Sequence, residues 1–201
     1  MLTNQELNNI KQFKQNIKSV DILKQIFDKS TFTLPINEYM KTNHTQLNHY
    51  FETNNFNCQS QKSLRGKINE FFILLYFRYY GITNLYPQAY LFFIPDIKFD
   101  LVLFTHTKRI IAFNFKTCLR DRYKQAIIEG QQLKKLDTRF EYYLLTNHTS
   151  ETQRLNEKLK QGKVQSINKV INLFSPNSHS FFQNFSRRQF ITFPNINLIK
   201  K

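Results

Sequence analysis

Residues 96–104, DIKFDLVLF, and residues 109–116, RIIAFNFK, are separated only by the polar turn THTK. Two β-prone runs joined by so short a polar turn predict an antiparallel hairpin. The second arm carries an oddity. It is an apolar run suited to burial, yet it ends on Asn114-Phe115-Lys116, and lysine is rarely buried without a partner. Either the strand stops there and Lys116 meets water, or Lys116 has chemical work at the end of a sheet.

The segments around the hairpin set its context. Leu7, Ile10, Phe13, Ile17, Val20, Leu23, Ile26 and Phe27 recur at spacings of three or four, so residues 3–29 read as one amphipathic helix, or two broken near Ser19 and Asp21. Residues 41–62 are rich in Asn and Gln with scattered aromatics and read as a loop with at most one helical turn. Ser63 reads as the N-cap of a buried helix that Gly81 closes. A strand over 85–93 precedes the hairpin. After it come a helix carrying Leu119, Tyr123, Ile127 and Leu136, a strand at 140–146, a helix capped by Thr149 or Ser150 and stopped by Gly162, and a strand at 170–175. The remainder reads as tail or helix. This order predicts an α/β fold, a mixed central sheet flanked by helices, with an N-terminal helical segment over 1–62 and the core over 63–201.

Of 201 residues, 29 are Lys or Arg and 14 are Asp or Glu, a net charge of +15. A surplus that large favours a polyanionic partner, nucleic acid first and a membrane surface second. The longest apolar run, 71–77, is too short to span a bilayer. The first twenty residues lack the apolar stretch of a secretory signal. Cys58 and Cys118 show neither pair spacing nor a His cluster, which argues against a disulfide framework or a zinc site. The expectation is a cytoplasmic protein.

Chemistry-bearing residues gather around the hairpin. Glu70 lies on the helix before it, Pro95-Asp96 opens its first arm, Asp100 follows four residues on, and Asn114 and Lys116 end its second arm. Residues two apart in a strand share a face, so Asn114 and Lys116 point one way, and Asp96 and Asp100 share a face with each other. Carboxylates, a further oxygen donor and a lysine at sheet ends suit Mg²⁺, which one or two carboxylates and a substrate phosphate typically hold. A nearby lysine can orient water and offset charge developing on a phosphorus centre.

These residues also carry a resemblance. Pro95-Asp96 followed by Asn114-Phe115-Lys116 resembles the PD-(D/E)xK nuclease motif, with Asn in place of the acidic residue. The runs RGKINEFF, PQAY, IPDIKF and FKTCLRDRYKQA together resemble the catalytic domain of EcoRII-like type II restriction endonucleases over roughly residues 63–175. The resemblance implies a restriction-endonuclease-like core and an Mg²⁺-dependent, sequence-specific double-stranded DNA endonuclease. It would act as a homodimer beside a cognate DNA methyltransferase. It implies that Asp96, Asn114 and Glu70 hold the metal and that Lys116 activates water. Arg120, Arg122 and Lys124, with Arg65 and Lys67, would meet DNA phosphates. Asp100 is the alternative to Asp96, which the flanking proline and the upstream PQA favour. Each residue also has a plainer reading, Asp96 as a turn residue, Glu70 and the basic run as solvated surface. Two rival functions stand beside the first, a nucleic-acid-binding protein whose site has decayed at Asn114, and a structure-specific nuclease of the same fold.

The hairpin makes this arrangement testable. An aspartate of the first arm shares a face with Asn114 and Lys116 only if cross-strand partners have residue numbers of even sum. A four-residue THTK loop pairing Phe104 with Arg109 gives an odd sum and opposite faces. A shared site therefore requires a three- or five-residue turn, or a bulge.

Overall fold

The computed structural model describes residues 17–91, 93–117, 119 and 122–192. They fall into two units, residues 1–81 and 82–201. Among the described residues of the first unit, α1 (Ile17–Ile26) leads through a 3-10 turn (Lys29–Thr33) to α2 (Ile36–Thr53) and α3 (Cys58–Tyr79). Of the predicted first helix, residues 3–16 lie outside the described residues. The rest runs unbroken past Ser19 and Asp21 and ends before Asp28, whose carboxylate accepts the Ser30 N–H at 2.9 Å and caps the turn.

The predicted loop over 41–62 is instead mostly helical. Ile36, Tyr39, Met40, Leu47 and Phe51 form one buried stripe at helical spacing, and once that stripe packs, the intervening Asn and Gln residues sit in helix at little cost. α3 starts earlier than Ser63, because Asn57 is its N-cap and accepts the Ser60 N–H at 2.8 Å. The helix therefore runs straight through the expected 62/63 boundary, and the chain divides after Gly81. Gly81 closes α3 as expected, with a φ of 79° that a glycine adopts without strain. The core of this unit is aromatic: Phe27, Phe32, Tyr39, Phe72 and Tyr76 interlock, and the Tyr39 hydroxyl donates to the Phe72 carbonyl at 2.9 Å.

The second unit contains β1 (Tyr86–Leu91), β2 (Ile94–Phe104), β3 (Ile110–Phe115), α4 (Arg122–Leu136), β4 (Glu141–Thr146), α5 (Thr149–Lys160), β5 (Lys169–Asn172) and α6 (Asn177–Ser186). The strands form one sheet in sequence order, antiparallel from β1 to β3 and parallel from β3 to β5. On one face Val102, Ala112, Tyr142, Leu144 and Val170 pack with Ala126 and Leu133 of α4 and Leu155 of α5. On the other, Phe113 and Tyr143 meet Phe181 and Phe185 of α6. Burial on both faces explains why β3 reads as an unbroken apolar run. The fold is α/β, a mixed five-stranded sheet flanked by helices. Gly162 ends α5 with a φ of 70°, while His148, not Thr149 or Ser150, is the N-cap. No helix among the described residues is long and apolar enough to cross a membrane.

The hairpin turn has the required parity. Phe104 pairs with Ile110, so the five residues 105–109 form the loop. Thr105 N–H donates to the Arg109 carbonyl at 3.0 Å, and Lys108 takes a φ of 59° to complete the reversal. Leu101 pairs with Phe113, which sets Asp100 directly across from Asn114.

Candidate active site

At Asp100 and Asn114 the two strands stop pairing backbone to backbone, and side chains take over. Asp100 N–H donates to Asn114 Oδ1 at 2.8 Å, and Phe115 N–H donates to Asp100 Oδ2 at 2.7 Å. Each side chain thus satisfies the opposite strand's backbone where the ladder has opened, which fixes both side chains against the sheet. The other Asp100 oxygen, Oδ1, accepts from Gln88 Nε2 of β1 at 3.2 Å.

Asn114 is wholly buried and connects two elements. Its Nδ2 donates to Glu129 Oε2 at 2.7 Å and to the Tyr142 hydroxyl at 3.1 Å. That hydroxyl in turn donates to Glu129 Oε2 at 2.7 Å, and Gln125 Nε2 donates to Glu129 Oε1 at 2.8 Å. Glu129 reaches this position because α4 lies close on the sheet. A Cβ at Gly130 would collide with the Ser166 carbonyl oxygen and would stand 2.8 Å from the Tyr142 ring. Glycine at 130 is what permits the approach.

The electrostatics follow from burial. Loss of water pushes the Asp100 carboxyl above the usual carboxylate range. The Phe115 N–H, the Lys116 charge and the Gln88 amide pull it back, and the Glu129 charge adds to the rise. Burial, then the Glu129 charge, push the Tyr142 hydroxyl well above its ordinary range, which keeps it a hydrogen-bond donor. Lys116 is partly buried, and its N–H extends the parallel ladder to the Leu145 carbonyl at 2.9 Å.

The structure thus brings Asp100, Asn114 and Lys116 together, and Asp96 stands apart. Asp96 is exposed at the start of β2, four residues or about 13 Å along the strand from Asp100. The register sets Asp100, the alternative to Asp96, opposite Asn114. Through the Asp100 N–H at its oxygen and Glu129 at its nitrogen, the Asn114 amide ties the two acidic residues together. An aspartate there would set a third negative charge between Asp100 and Glu129.

Glu70 is partly buried on α3, in the helical unit. Arg65 and Lys67 belong to the same helix. Arg65 donates to Asn48 Oδ1 and, at 3.2 Å, to His44 Nε2, and it stacks on the Phe51 ring at 5.3 Å. Burial, then the Arg65 charge, lower the pKa of His44 to about 4. Arg122 and Lys124 stand exposed in the first turn of α4, and Arg120 lies outside the described residues, as does Cys118.

Sequence reading missed Glu129, and the signal for it was present. Ala126, Gly130 and Leu133 form a small and apolar stripe at spacings of four and three, and Glu129 lies on it. A carboxylate on the buried stripe of a helix needs a reason. Tyr142 and Gln88 carried no such signal, because their roles depend on strand register.

The donor set fits a hard divalent cation. The Glu129 charge adds to the cost of ionising Asp100 in a partly dry site, and a cation would relieve that cost. Among the described residues no group of three or more His, Cys, Asp or Glu comes together. Two carboxylates would be a protein share suited to Mg²⁺, which takes its other ligands from water and substrate. Compared with known protein families, curated proteins and solved structures, the chain matches none.

Proposed function

We propose that this protein is an Mg²⁺-dependent endonuclease that hydrolyses phosphodiester bonds in double-stranded DNA at specific sequences, with a restriction-endonuclease-like core. The observation that carries this reading is the parting of β2 and β3, where Asp100, Glu129 and Lys116 converge. The element order supports it too. The helix with Glu70, then β2, then β3 ending at Lys116, then the basic start of α4 follow in the order that the resemblance implies.

Asp100 and Glu129 would hold the ion. When bound, Mg²⁺ neutralises phosphate oxygens and makes water a better nucleophile. Lys116 places an ammonium where negative charge grows on the phosphorus-bound oxygens, and there a fixed charge acts on the transition state more than on the ground state. Asn114 and Tyr142 lock Glu129, and the Phe115 N–H locks Asp100, so the charges need little rearrangement during reaction. Arg122 and Lys124 supply phosphate contacts. Lys and Arg in the first turn of a helix oppose its dipole, and among the described residues α4 has no acidic residue there. That turn is better suited to an anionic ligand than to the helix's own stability.

A homodimer would cut both strands of a two-fold symmetric target, and a cognate methyltransferase would protect the host's own sites. Incubation of the purified protein with plasmid and Mg²⁺ tests the reading. Discrete fragments support it, a smear indicates a nuclease without sequence specificity, and a gel shift without cleavage indicates a binding protein. Glu70→Gln, assayed alongside, tests the supporting role that the resemblance implies for that residue.

A further inference from the structure

Gln88 lies in the middle of β1 with a φ of 51°. A residue with a side chain rarely occupies this left-handed region, and holding one there stores strain. The register with β2 is constant from Tyr86 to Tyr90 and shifts only between Tyr90 and Leu91. Pro87 pairs with Leu101 and Ala89 pairs with Phe99, so Gln88 falls directly opposite Asp100. Local chain geometry offers no reason for the strain, because there is no turn at this point and glycine would take the same backbone at no steric cost. The side chain supplies the reason. Its Nε2 donates to Asp100 Oδ1 at 3.2 Å, while the Phe115 N–H grips Oδ2 from the strand on the other side.

We propose that Gln88 is a positioning residue for Asp100, held in a strained backbone conformation so that its carboxamide, with the Phe115 N–H, fixes the plane of the carboxylate that binds a divalent cation. Donors from β1 and β3 grip one oxygen each of a carboxylate on β2. With the carboxylate's rotation restricted, less freedom is lost when the ion arrives. The inference rests on the reading that Asp100 holds Mg²⁺.

Strain kept for function gives a distinctive signature, since relieving it should help the fold and harm the site. Gln88→Gly accepts the backbone and removes the carboxamide. Without metal, its melting temperature should equal or exceed that of the unaltered protein. Its affinity for Mg²⁺, measured by titrating Mg²⁺ into the metal-free protein in a calorimeter, should fall about 10- to 100-fold, the usual penalty for losing a group that orients a ligand. Gln88→Asn also tolerates the left-handed backbone but carries a shorter amide, and it should bind Mg²⁺ as weakly as Gln88→Gly. If Asp100→Ala abolishes Mg²⁺ uptake while Gln88→Gly binds as tightly as the unaltered protein, the inference is overturned and the cation reading stands. If the unaltered protein takes up no Mg²⁺, or its uptake survives Asp100→Ala, the cation reading fails and takes this inference with it.

Discussion

Asn114 in the sheet unit and Asn69 in the helical unit are both wholly buried, and they are treated in opposite ways. Asn114 uses both ends of its amide, accepting from Asp100 and donating to Glu129 and Tyr142. Asn69, in the middle of α3, has a hydrogen bond at neither amide atom among the described residues. Unpaired buried atoms occur in both units among the described residues, Ser19 Oγ and Asn43 Oδ1 in the helical unit and Asn147 Oδ1 and Ser166 Oγ in the sheet unit, so the completed network around Asn114 stands out within its own unit as well. In water the two asparagines would be equivalent. Inside the protein, one is the centre of a network and the other is a liability of about 1–3 kcal/mol. Buried polar chemistry is completed where β2 and β3 part, and that completeness marks the site more sharply than exposure or charge does.

The largest expected effect tests whether the completed network is a working site. Lys116→Ala should lower cleavage by about 10²- to 10³-fold, the usual effect of losing a fixed charge near a developing one. Specific DNA binding should be nearly unchanged, because the interaction is made mainly in the transition state. Single-turnover cleavage and a gel shift on the same duplex measure the two quantities. Near-normal cleavage would mean that β3 simply ends in a lysine meeting water, and the network would then be structural only.

The next prediction sets the two asparagines directly against each other. Asn114→Leu keeps the volume but leaves the Asp100 N–H unpaired and strips a donor from Glu129, so stability should fall by on the order of 3 kcal/mol. Asn69→Leu removes two unpaired polar atoms and should raise stability by about 1 kcal/mol. Denaturant midpoints, read with the slope unchanged, measure both. A loss at Asn69 of the size expected at Asn114 would show that Asn69 has a partner outside the described residues, and the contrast between the two asparagines would disappear.

How much of this was legible in the sequence follows the same physics. The hairpin, the mixed sheet and the closing glycines at 81 and 162 are local patterns, set by turn chemistry and strand period, and reading them needs no long-range contact. The parity argument around Phe104 and Ile110 tied the shared face to an odd-length turn, and residues 105–109 form one. The helix over Ile36–Thr53 was obscured because its polar residues are Asn and Gln, which favour loops in isolation, whereas its apolar stripe acts only once packed. Asp96 was preferred over Asp100 on its flanking proline, yet strand register decides which aspartate meets Asn114. Glu129, Tyr142 and Gln88 arrive from three other elements, and only the fold brings them together.

The smallest effect concerns the basic side of the comparison. Arg65, in the helical unit, has part of its donor fork engaged by His44 and Asn48 and is backed by the Phe51 ring. Arg122, in the sheet unit, is exposed in the first turn of a helix whose dipole opposes it. If Arg122 meets a DNA phosphate, Arg122→Ala removes one counterion-releasing contact, and the slope of log affinity against log salt should shrink by about 0.9. Over a fourfold rise in salt, that is a change of only about threefold in the relative affinity of the two proteins, so the slope is the quantity to measure. Removing a cation from the first turn should also leave the fold as stable as before, or slightly more so. Weaker DNA binding with unchanged or raised stability would identify Arg122 as a phosphate contact. An unchanged slope together with unchanged affinity would make the start of α4 a solvated face, and the candidate site would then depend on other residues to hold its DNA.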